Sequence, residues 1–277
     1  MSEKNTMSCR ISSVGRREIL LMDNEGNEFQ GRVSGRVYKE GTPVAGDNVV
    51  VDSAQDIPVV IKVSPRRNTL KRTVLRGEEQ VIAANVDMVL IMISLRDPPP
   101  KYQVIKNALI GAEWQNIPAT LVLNKIDLVE KDLPGEIASI TNIYGAGGAG
   151  YPVFPISCVS GSGIDVLRDS FKDNTVVITG PSGAGKTSFA QIFNPSLDLL
   201  VGEVNTKTSL GRHTTVATRL IPLGKVTFPI DTPGARIFQI EHITFNELQF
   251  CFPDFRDSID KCRFMHSLPR SEPGCEV

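Results

Sequence analysis

The eight residues 180–187, with the sequence G-P-S-G-A-G-K-T, constrain the fold of this chain more than any other stretch. They match the pattern G-x-x-x-x-G-K-[ST] and lie between an apolar run, residues 174–179, and a segment of helical composition, residues 188–193. In such a strand–loop–helix unit, glycines let successive backbone N–H groups face phosphate oxygens, and the helix N-terminus favours negative charge. The chain is therefore predicted to bind a nucleoside triphosphate at this loop.

Two side chains at the end of this phosphate loop have predicted roles of their own. Lys186 can reach the β- and γ-phosphates, and the hydroxyl group of Thr187 suits Mg²⁺, which prefers oxygen ligands. The residues predicted to bind the phosphates are Gly180, Pro181, Ser182, Gly183, Ala184, Gly185, Lys186, Thr187 and Ser188.

Composition limits the classes of protein to which the chain can belong. The formal net charge of −1 over 277 residues excludes a strong overall field for nucleic acid, so any basic surface has to be local. No run of about 18 apolar residues is present, so no membrane span is expected. Five scattered cysteines and an N-terminus without an apolar segment favour a reducing compartment, the cytoplasm or alternatively an organelle stroma or matrix.

Residues 8 to about 65 contain five short strand-like stretches separated by turn residues. The turn D-N-E-G at residues 23–26 predicts a hairpin. Such a series predicts a small β-barrel, for which an OB-fold and an SH3-like barrel both fit. The basic stretch that follows, from Lys62 to Arg76, is either a solvated linker or a phosphate-contacting patch beside the barrel.

The character of the chain changes after residue 84. Residues 86–93 form a continuous apolar run, residues 119–123 a second buried strand and residues 153–157 a third strand, and residues 101–115 have helical spacing. Continuous apolar runs are typical of strands buried on both faces. Strands that alternate with helices predict a doubly wound α/β domain.

The sequence N-K-I-D at residues 124–127 follows one of these predicted strands and has the N-K-x-D pattern of guanine-binding proteins. The carboxylate of Asp127 can accept from two adjacent guanine donors, N1–H and the N2 amino group, whereas adenine lacks this pair. Asn124 is expected to brace the base and the loop, and the stem of Lys125 to cover the ring. Ser157 and Cys158 begin a second predicted guanine loop, S-C-V-S-G, which offers a backbone N–H group to O6.

Two further segments are predicted to sense the γ-phosphate. In D-T-P-G, residues 231–234, Asp231 is expected to hold Mg²⁺ through water and Gly234 to donate its N–H group to the γ-phosphate. In the polar stretch 210–215, Thr215 is the favoured ligand of Mg²⁺ in the triphosphate state, with Thr214 as the alternative. A plain surface loop is the competing interpretation of this stretch.

The residue after Gly234 is Ala235, where Ras-like enzymes carry the glutamine that orients the attacking water. Alanine cannot perform this role. His213 is the candidate catalytic residue in its place, because an imidazole can orient or accept a proton from water near neutral pH. The alternative is that His213 only forms hydrogen bonds within its loop.

The motifs stand in an unusual order, since N-K-I-D and S-C-V-S-G precede the phosphate loop and D-T-P-G follows it. This order of motifs is circularly permuted relative to that of most GTPases. With its small N-terminal barrel and the stretch G-R-H-T-T, the chain resembles the RsgA-type small-ribosomal-subunit-dependent GTPases. The resemblance covers nearly the whole chain. It implies an OB-fold, a permuted GTPase domain and a C-terminal zinc domain. It also implies GTP, GDP and Mg²⁺ as ligands, contact with the small ribosomal subunit and its rRNA, and GTP hydrolysis stimulated by that subunit during its late maturation.

The C-terminal segment departs from the zinc motif of that family. Cys262 and Cys275 occupy the first and last ligand places, but Ser267 and Pro269 stand at the intermediate places. His266 is a candidate third ligand, although a closed zinc site has four. Cys251 is a conceivable fourth ligand, although it lies far from the others in the sequence, and unliganded thiols are the favoured alternative to a zinc site.

The predicted domains are a barrel at residues 1–68, a basic linker at 69–83, a permuted GTPase domain at 84–240, and a zinc-domain-like segment at 241–277 that is truncated or degenerate. The chain is expected to act as a monomer away from membranes. The alternative to a GTPase is an RNA-binding module that binds GTP and GDP with little or no hydrolysis.

Overall fold

The computed structural model describes residues 5–15, 18–73, 78–129, 133–172, 174–193, 218–221, 226–229, 238 and 240–259. The strands are β1 (Thr6–Val14), β2 (Ile19–Met22), β3 (Glu28–Val33), β4 (Asn48–Asp52), β5 (Val59–Val63), β6 (Thr69–Thr73), β7 (Glu79–Ala84), β8 (Met88–Ser94), β9 (Ala119–Asn124), β10 (Val153–Pro155), β11 (Val176–Thr179), β12 (Thr218–Ile221) and β13 (Val226–Pro229).

The helices are α1 (Gly35–Glu40), α2 (Tyr102–Trp114), α3 (Leu133–Tyr144), α4 (Ile164–Ser170), α5 (Lys186–Phe193), α6 (Phe245–Leu248) and α7 (Arg256–Ile259), with short 3-10 helices at Ile126–Leu128, Gln249–Cys251 and Pro253–Phe255. Among the described residues, no helix has the length and apolar character that a bilayer crossing requires.

The first five strands form the predicted small barrel. They pair in the order β1-β2-β3-β5-β4, and β4 returns to pair with β1, which closes the sheet. Helix α1 lies between β3 and β4, and the Ser34 hydroxyl caps it by accepting from the backbone N–H of Val37 at 3.5 Å. The interior contains Ile11, Leu21 and Val60, all fully buried. Five strands in this order, with a helix after the third, make the barrel an OB-fold.

The stretch predicted as a basic linker, residues 69–83, carries the antiparallel hairpin of β6 and β7. Two of its cations have partners: Lys71 pairs with Glu79 at 2.8 Å, and Arg72 donates to the Gln80 side chain. The division of the chain into domains stays a prediction.

The later strands form an open α/β sheet in the order β10-β9-β8-β11-β13-β12. The first five are parallel and β12 is antiparallel to β13. Alternate residues of β8 enter two different cores. Ile91 packs in a cluster with Ile105 of α2, whereas Met92 packs in a cluster with Phe171 and Phe189 beside α4 and α5. Helices thus cover both faces, which explains the continuous apolar run and confirms the predicted doubly wound α/β architecture.

Two contacts between described residues illustrate how the barrel is joined to the α/β sheet. At one, Ser13 of β1 lies opposite Arg219 of β12 in an antiparallel pairing. At the other, the Arg10 guanidinium donates to the hydroxyl oxygen of Thr175 at 2.7 Å, directly before β11. The barrel therefore extends the sheet at one edge and also contacts the start of the strand that leads into the phosphate loop.

Candidate nucleotide-binding site

The predicted nucleotide loops lie at one edge of the sheet. They follow β9, β10 and β11, which are parallel and therefore present their carboxyl ends at the same edge. Strand order reverses beside β11, because the chain runs from β8 outward to β9 and β10 and then crosses back to the other side of β8. Ligands of open α/β sheets bind outside such a reversal.

Two glycines of the phosphate loop are required by close backbone packing. Gly180 has a φ of +148°, and a Cβ atom there would lie 1.9 Å from the carbonyl oxygen of Met92. Gly185 has a φ of +93°, and a Cβ atom there would lie 2.1 Å from Nδ2 of Asn124. Any side chain at these positions would collide with its neighbour, so the glycines let the loop pack directly on β8 and on the end of β9.

Lys186 is the first residue of α5, and its side chain folds back over the phosphate loop. Its Nζ donates to the carbonyl oxygens of Gly180 and Pro181, both at 2.8 Å. Burial lowers the pKa of this ammonium group to about 8. The cation is thus held above the loop backbone in a poorly solvated position, where a phosphate anion would stabilise its charged form.

Asn124 joins the three loops. Its side chain is 1% exposed, its Nδ2 donates to the carbonyl oxygen of Ala184 at 2.9 Å, and its Oδ1 accepts from the backbone N–H of Cys158 at 3.2 Å. A buried amide with partners on both sides is a rigid bridge, because breaking either bond would leave a buried polar group unsatisfied.

Asp127 is oriented by the second predicted guanine loop. The buried Ser157 hydroxyl donates to Oδ1 of Asp127 at 2.5 Å and accepts from the backbone N–H groups of Val159 and Ser160. The half-buried carboxylate is thereby fixed in direction, as a bidentate contact with a base requires. Lys125 precedes this turn in the left-handed region, with a φ of +66°.

Cys158 contributes its backbone to this arrangement and keeps a neutral thiol. Burial raises the pKa of its thiol to about 11.

Thr187 lies half-buried in the first turn of α5, and Ser188 is exposed. The predicted binding residues in the loops after β9, β10 and β11 therefore converge on one edge of the sheet. Their roles in binding nucleotide stay predictions.

A family model described as RsgA GTPase matches residues 63–241. This chain belongs to the RsgA GTPase family.

Relatives and solved structures agree with this membership. A protein named "Small ribosomal subunit biogenesis GTPase RsgA" from Pseudomonas aeruginosa (strain LESB58) is 36% identical over 256 residues, covering 91% of this chain and 75% of the relative. A protein of the same name from Gemmatimonas aurantiaca is 32% identical over 264 residues, covering 91% of this chain and 84% of the relative.

Two solved structures share the fold. The crystal structure of YjeQ from Thermotoga maritima has a TM-score of 0.75 at 25% identity, with 98% of this chain and 90% of that chain covered. The structure of YloQ, described as a circularly permuted GTPase, has a TM-score of 0.69 at 24% identity, with coverages of 98% and 86%. The predicted permuted GTPase fold with an N-terminal barrel is confirmed for this RsgA GTPase family member.

Several predicted residues of this RsgA GTPase family chain lie outside the described residues. In the two segments predicted to sense the γ-phosphate they are His213, Thr214, Thr215, Asp231, Gly234 and Ala235, and in the C-terminal segment they are Cys262, His266 and Cys275. Within the described part of the chain, no group of three or more His, Cys, Asp or Glu side chains is placed to hold a metal ion. The magnesium and zinc ligands at these outlying positions stay predictions.

One loop of this site carries no motif that assigns it a role in the sequence. It contains residues 97–100, D-P-P-P. In the structure, Pro98 lies against the phosphate loop, and the ammonium group of Lys125 donates to the carbonyl oxygen of Asp97. A prolyl run directly after a buried strand at the binding edge was the available signal.

A cavity of about 380 Å³ lies elsewhere, between the β6–β7 hairpin, α2, Phe238 and His242. The Trp114 and His242 rings meet edge to face there, with centroids 6.2 Å apart, and His242 Nδ1 lies 3.0 Å from the Thr73 hydroxyl oxygen. None of the predicted nucleotide residues within the described ranges lines this cavity.

Proposed function

We propose that this chain binds GTP with Mg²⁺ and hydrolyses it to GDP and phosphate, and that it does so in the biogenesis of the small ribosomal subunit. Membership of the RsgA GTPase family supports the activity. The observation in this chain that carries the proposal is the buried Asn124, which ties the predicted guanine loops to the phosphate loop through Ala184 and Cys158.

Guanine selection is assigned to Asp127. Its carboxylate, held by the Ser157 hydroxyl, would accept from N1–H and the N2 amino group of guanine. Adenine would leave this half-buried carboxylate without those donors, at an expected cost of about 3 kcal/mol or more. Asn124 keeps the carboxylate in register with the phosphate loop.

Phosphate binding is assigned to the backbone of residues 180–187 and to Lys186. The ammonium group would exchange its two carbonyl contacts for the β- and γ-phosphates. The Thr187 hydroxyl is a hard oxygen donor one residue later in the chain and fits Mg²⁺, with Thr215 and Asp231 as its proposed companions. Bound Mg²⁺ would neutralise charge that develops on the phosphate oxygens.

In the hydrolytic step, water attacks the γ-phosphorus, the bond to the β–γ bridging oxygen breaks, and the products are GDP and inorganic phosphate. Lys186 and the N–H groups of the loop, with that of Gly234, stabilise the charge on the transferred group. His213 is proposed to orient the water, since Ala235 has no group for this task.

The partners are proposed from the relatives, whose name ties them to small ribosomal subunit biogenesis. We extend that role, with contacts to rRNA, to this chain, acting as a monomer in the cytoplasm. Zinc is not part of the proposal, because Cys262, His266 and Cys275 supply three ligands where a closed site has four.

The first test is competition against fluorescent GDP. We expect unlabelled GTP and GDP to displace the probe at concentrations at least about a hundredfold lower than ATP, because only guanine satisfies Asp127. The variant Asp127→Asn should lose this preference. Equal displacement by ATP and GTP from the wild-type chain would contradict the assignment of guanine.

The second test is single-turnover GTP hydrolysis with and without purified small ribosomal subunits. We expect the subunits to accelerate hydrolysis by the wild-type chain, and His213→Ala to remove the acceleration while nucleotide affinity stays nearly unchanged. Binding without hydrolysis in both conditions would instead favour the alternative, a GTP- and GDP-binding RNA module, for which the alanine at position 235 is the supporting observation.

A further inference from the structure

We propose that residues 95–100, here called the proline loop, form a clamp on the phosphate loop, and that Arg96 and Glu136 are positioning residues which set how slowly nucleotide is released. The inference rests on the proposed binding of nucleotide phosphates by residues 180–187. It concerns an ion pair outside the three motif loops.

The first observation is the contact between the proline loop and the phosphate loop. Gly183 has a φ of +80°, and a Cβ atom there would lie 2.8 Å from Cδ of Pro98. The Pro98 ring thus lies directly against the backbone that is expected to present N–H groups to the phosphates. A shift of the ring away from Gly183 would leave that part of the loop free to fluctuate.

The second observation is that the same loop contacts the end of β9. The Leu95 backbone N–H donates to the carbonyl oxygen of Asn124 at 3.1 Å, and the Lys125 ammonium group donates to the carbonyl oxygen of Asp97. Lys125 is thereby committed to the proline loop. The loop touches both halves of the predicted site, one half at Gly183 and the other at Asn124 and Lys125.

The third observation is the attachment of the proline loop to α3. Both terminal nitrogens of the Arg96 guanidinium donate to the Glu136 carboxylate, one of them at 2.5 Å, and Nη1 also donates to the Leu95 carbonyl oxygen at 2.9 Å. This hydrogen bonding from Arg96 lowers the pKa of Glu136, so the carboxylate is charged at neutral pH. A bidentate pair between a planar guanidinium and a carboxylate restricts the orientation of the two side chains more than a single hydrogen bond does.

The consequence is a chain of contacts from α3 to the phosphates. Glu136 holds Arg96, Arg96 holds the backbone of the proline loop, and Pro98 of that loop supports Gly183. At the base motif, the backbone of the proline loop contacts Asn124 and Lys125, whereas Asp127 is held by Ser157. Loss of the clamp should therefore weaken the binding of all nucleotides that carry the same phosphates. It should not change the choice of base, which belongs to Asp127.

The test is the dissociation rate of fluorescent GDP, in the presence of Mg²⁺, from the full chain and from Glu136→Gln. Glutamine keeps the shape of the side chain but removes the charge, and we expect release about two- to fivefold faster, as for partly exposed ion pairs. The affinity of Glu136→Gln for GDP, GTP and inosine diphosphate should fall by the same factor relative to the wild-type chain. The control is Asp165→Asn, which removes the exposed Arg168–Asp165 pair of 2.8 Å and should release GDP at the wild-type rate.

A double-mutant cycle separates a positioning role from a general loss of stability. Arg96→Gln should accelerate release at least as much as Glu136→Gln, and adding Glu136→Gln to Arg96→Gln should have no further effect, because the pair is already broken. Melting temperatures of all variants give the stability change for comparison. Strictly additive accelerations, or release at the wild-type rate in both single variants, would overturn the clamp.

These outcomes are distinct from failure of the proposed function. If the wild-type chain does not bind GDP, the assigned nucleotide site itself is wrong. If the wild-type chain binds GDP and Glu136→Gln behaves as the wild type does, only the clamp is refuted.

Discussion

The barrel and the α/β sheet bury their strands in different ways. In β4 of the barrel, Val49 and Val51 are buried while Asn48 is exposed. In β8 of the sheet, every residue from Val89 to Ser94 is buried. The barrel encloses one core and leaves its outer face to solvent, whereas the sheet has helices on both faces. The nucleotide loops are therefore supported from two sides, whereas the outer face of the barrel reaches solvent.

The largest expected effect is the loss of unfolding free energy when a large side chain is truncated in either core. Phe189 on α5 is fully buried, with its ring centroid 4.9 Å from that of Phe193, and Phe189→Ala should cost about 4 kcal/mol of unfolding free energy. The same change should weaken GDP binding, because α5 begins at Lys186. In the barrel, Leu21→Ala should cost about 3 kcal/mol with GDP affinity close to that of the wild type. Urea denaturation and GDP titration measure both; equal losses of affinity would mean that the barrel core also supports the site.

The next effect concerns the junction between barrel and hairpin. Asp47 is completely buried and accepts from Arg66 at 2.7 and 2.8 Å and from the backbone N–H of Val44 at 2.9 Å. Asp47→Asn removes the charge that balances Arg66 and should cost about 2 kcal/mol, less than for a fully buried pair because Arg66 reaches solvent. Glu40→Gln, which breaks the exposed Arg36–Glu40 pair, is the control and should cost less than about 0.5 kcal/mol. A smaller loss in Asp47→Asn than in the control would contradict this ranking.

A smaller effect is expected on the helical face of the sheet, at Gly111 of α2. A Cβ atom there would lie 2.4 Å from the Phe238 ring, so Gly111→Ala should cost about 1–2 kcal/mol through crowding. Combining it with Phe238→Leu, which shortens the side chain, should cost less than the sum of the two single changes. Thermal melting measures the cycle, and an additive result would show that the two residues do not crowd each other.

The last prediction is a pH dependence that arises from Lys186 at the start of α5. The pKa of Lys186, about 8 in the folded chain, lies below the value of about 10.4 for a free lysine. Between these values the unfolded chain binds more protons, so this group makes the stability of the ligand-free chain rise with pH from 8 to 10.

Nucleotide binding should show the opposite trend, because phosphates favour the charged ammonium group. GDP affinity is expected to fall about threefold between pH 7.5 and 8.5, because Lys186 of the ligand-free chain loses its proton in this range. Leu21→Ala should keep this slope and Lys186→Met should lack it. A flat profile in the wild-type chain, measured by fluorescence titration, would contradict the assignment of the slope to Lys186.

The sequence by itself determined the strand–loop–helix unit at 180–187, the permuted order of motifs and the two-sided burial of β8, because each follows from residues close together in the chain. It did not determine the hairpin at 69–84, since T-L-K-R-T in β6 has neither an apolar run nor strict alternation. It also left open the choice between an OB-fold and an SH3-like barrel, which depends on the parallel pairing of β3 with β5 and on closure by β4.

Only the tertiary structure decided which side chains connect the parts of the site. Arg10 and Thr175 are 165 positions apart in the chain, and Asn124 and Ala184 are 60 apart, yet each pair forms a hydrogen bond. No local pattern specifies such partners, because the same arginine or asparagine would be compatible with solvent or with many other acceptors. Their pairing follows from the order of strands in the sheet, which brings distant loops to one edge and there selects Asn124 as the bridge and Pro98 as the neighbour of Gly183.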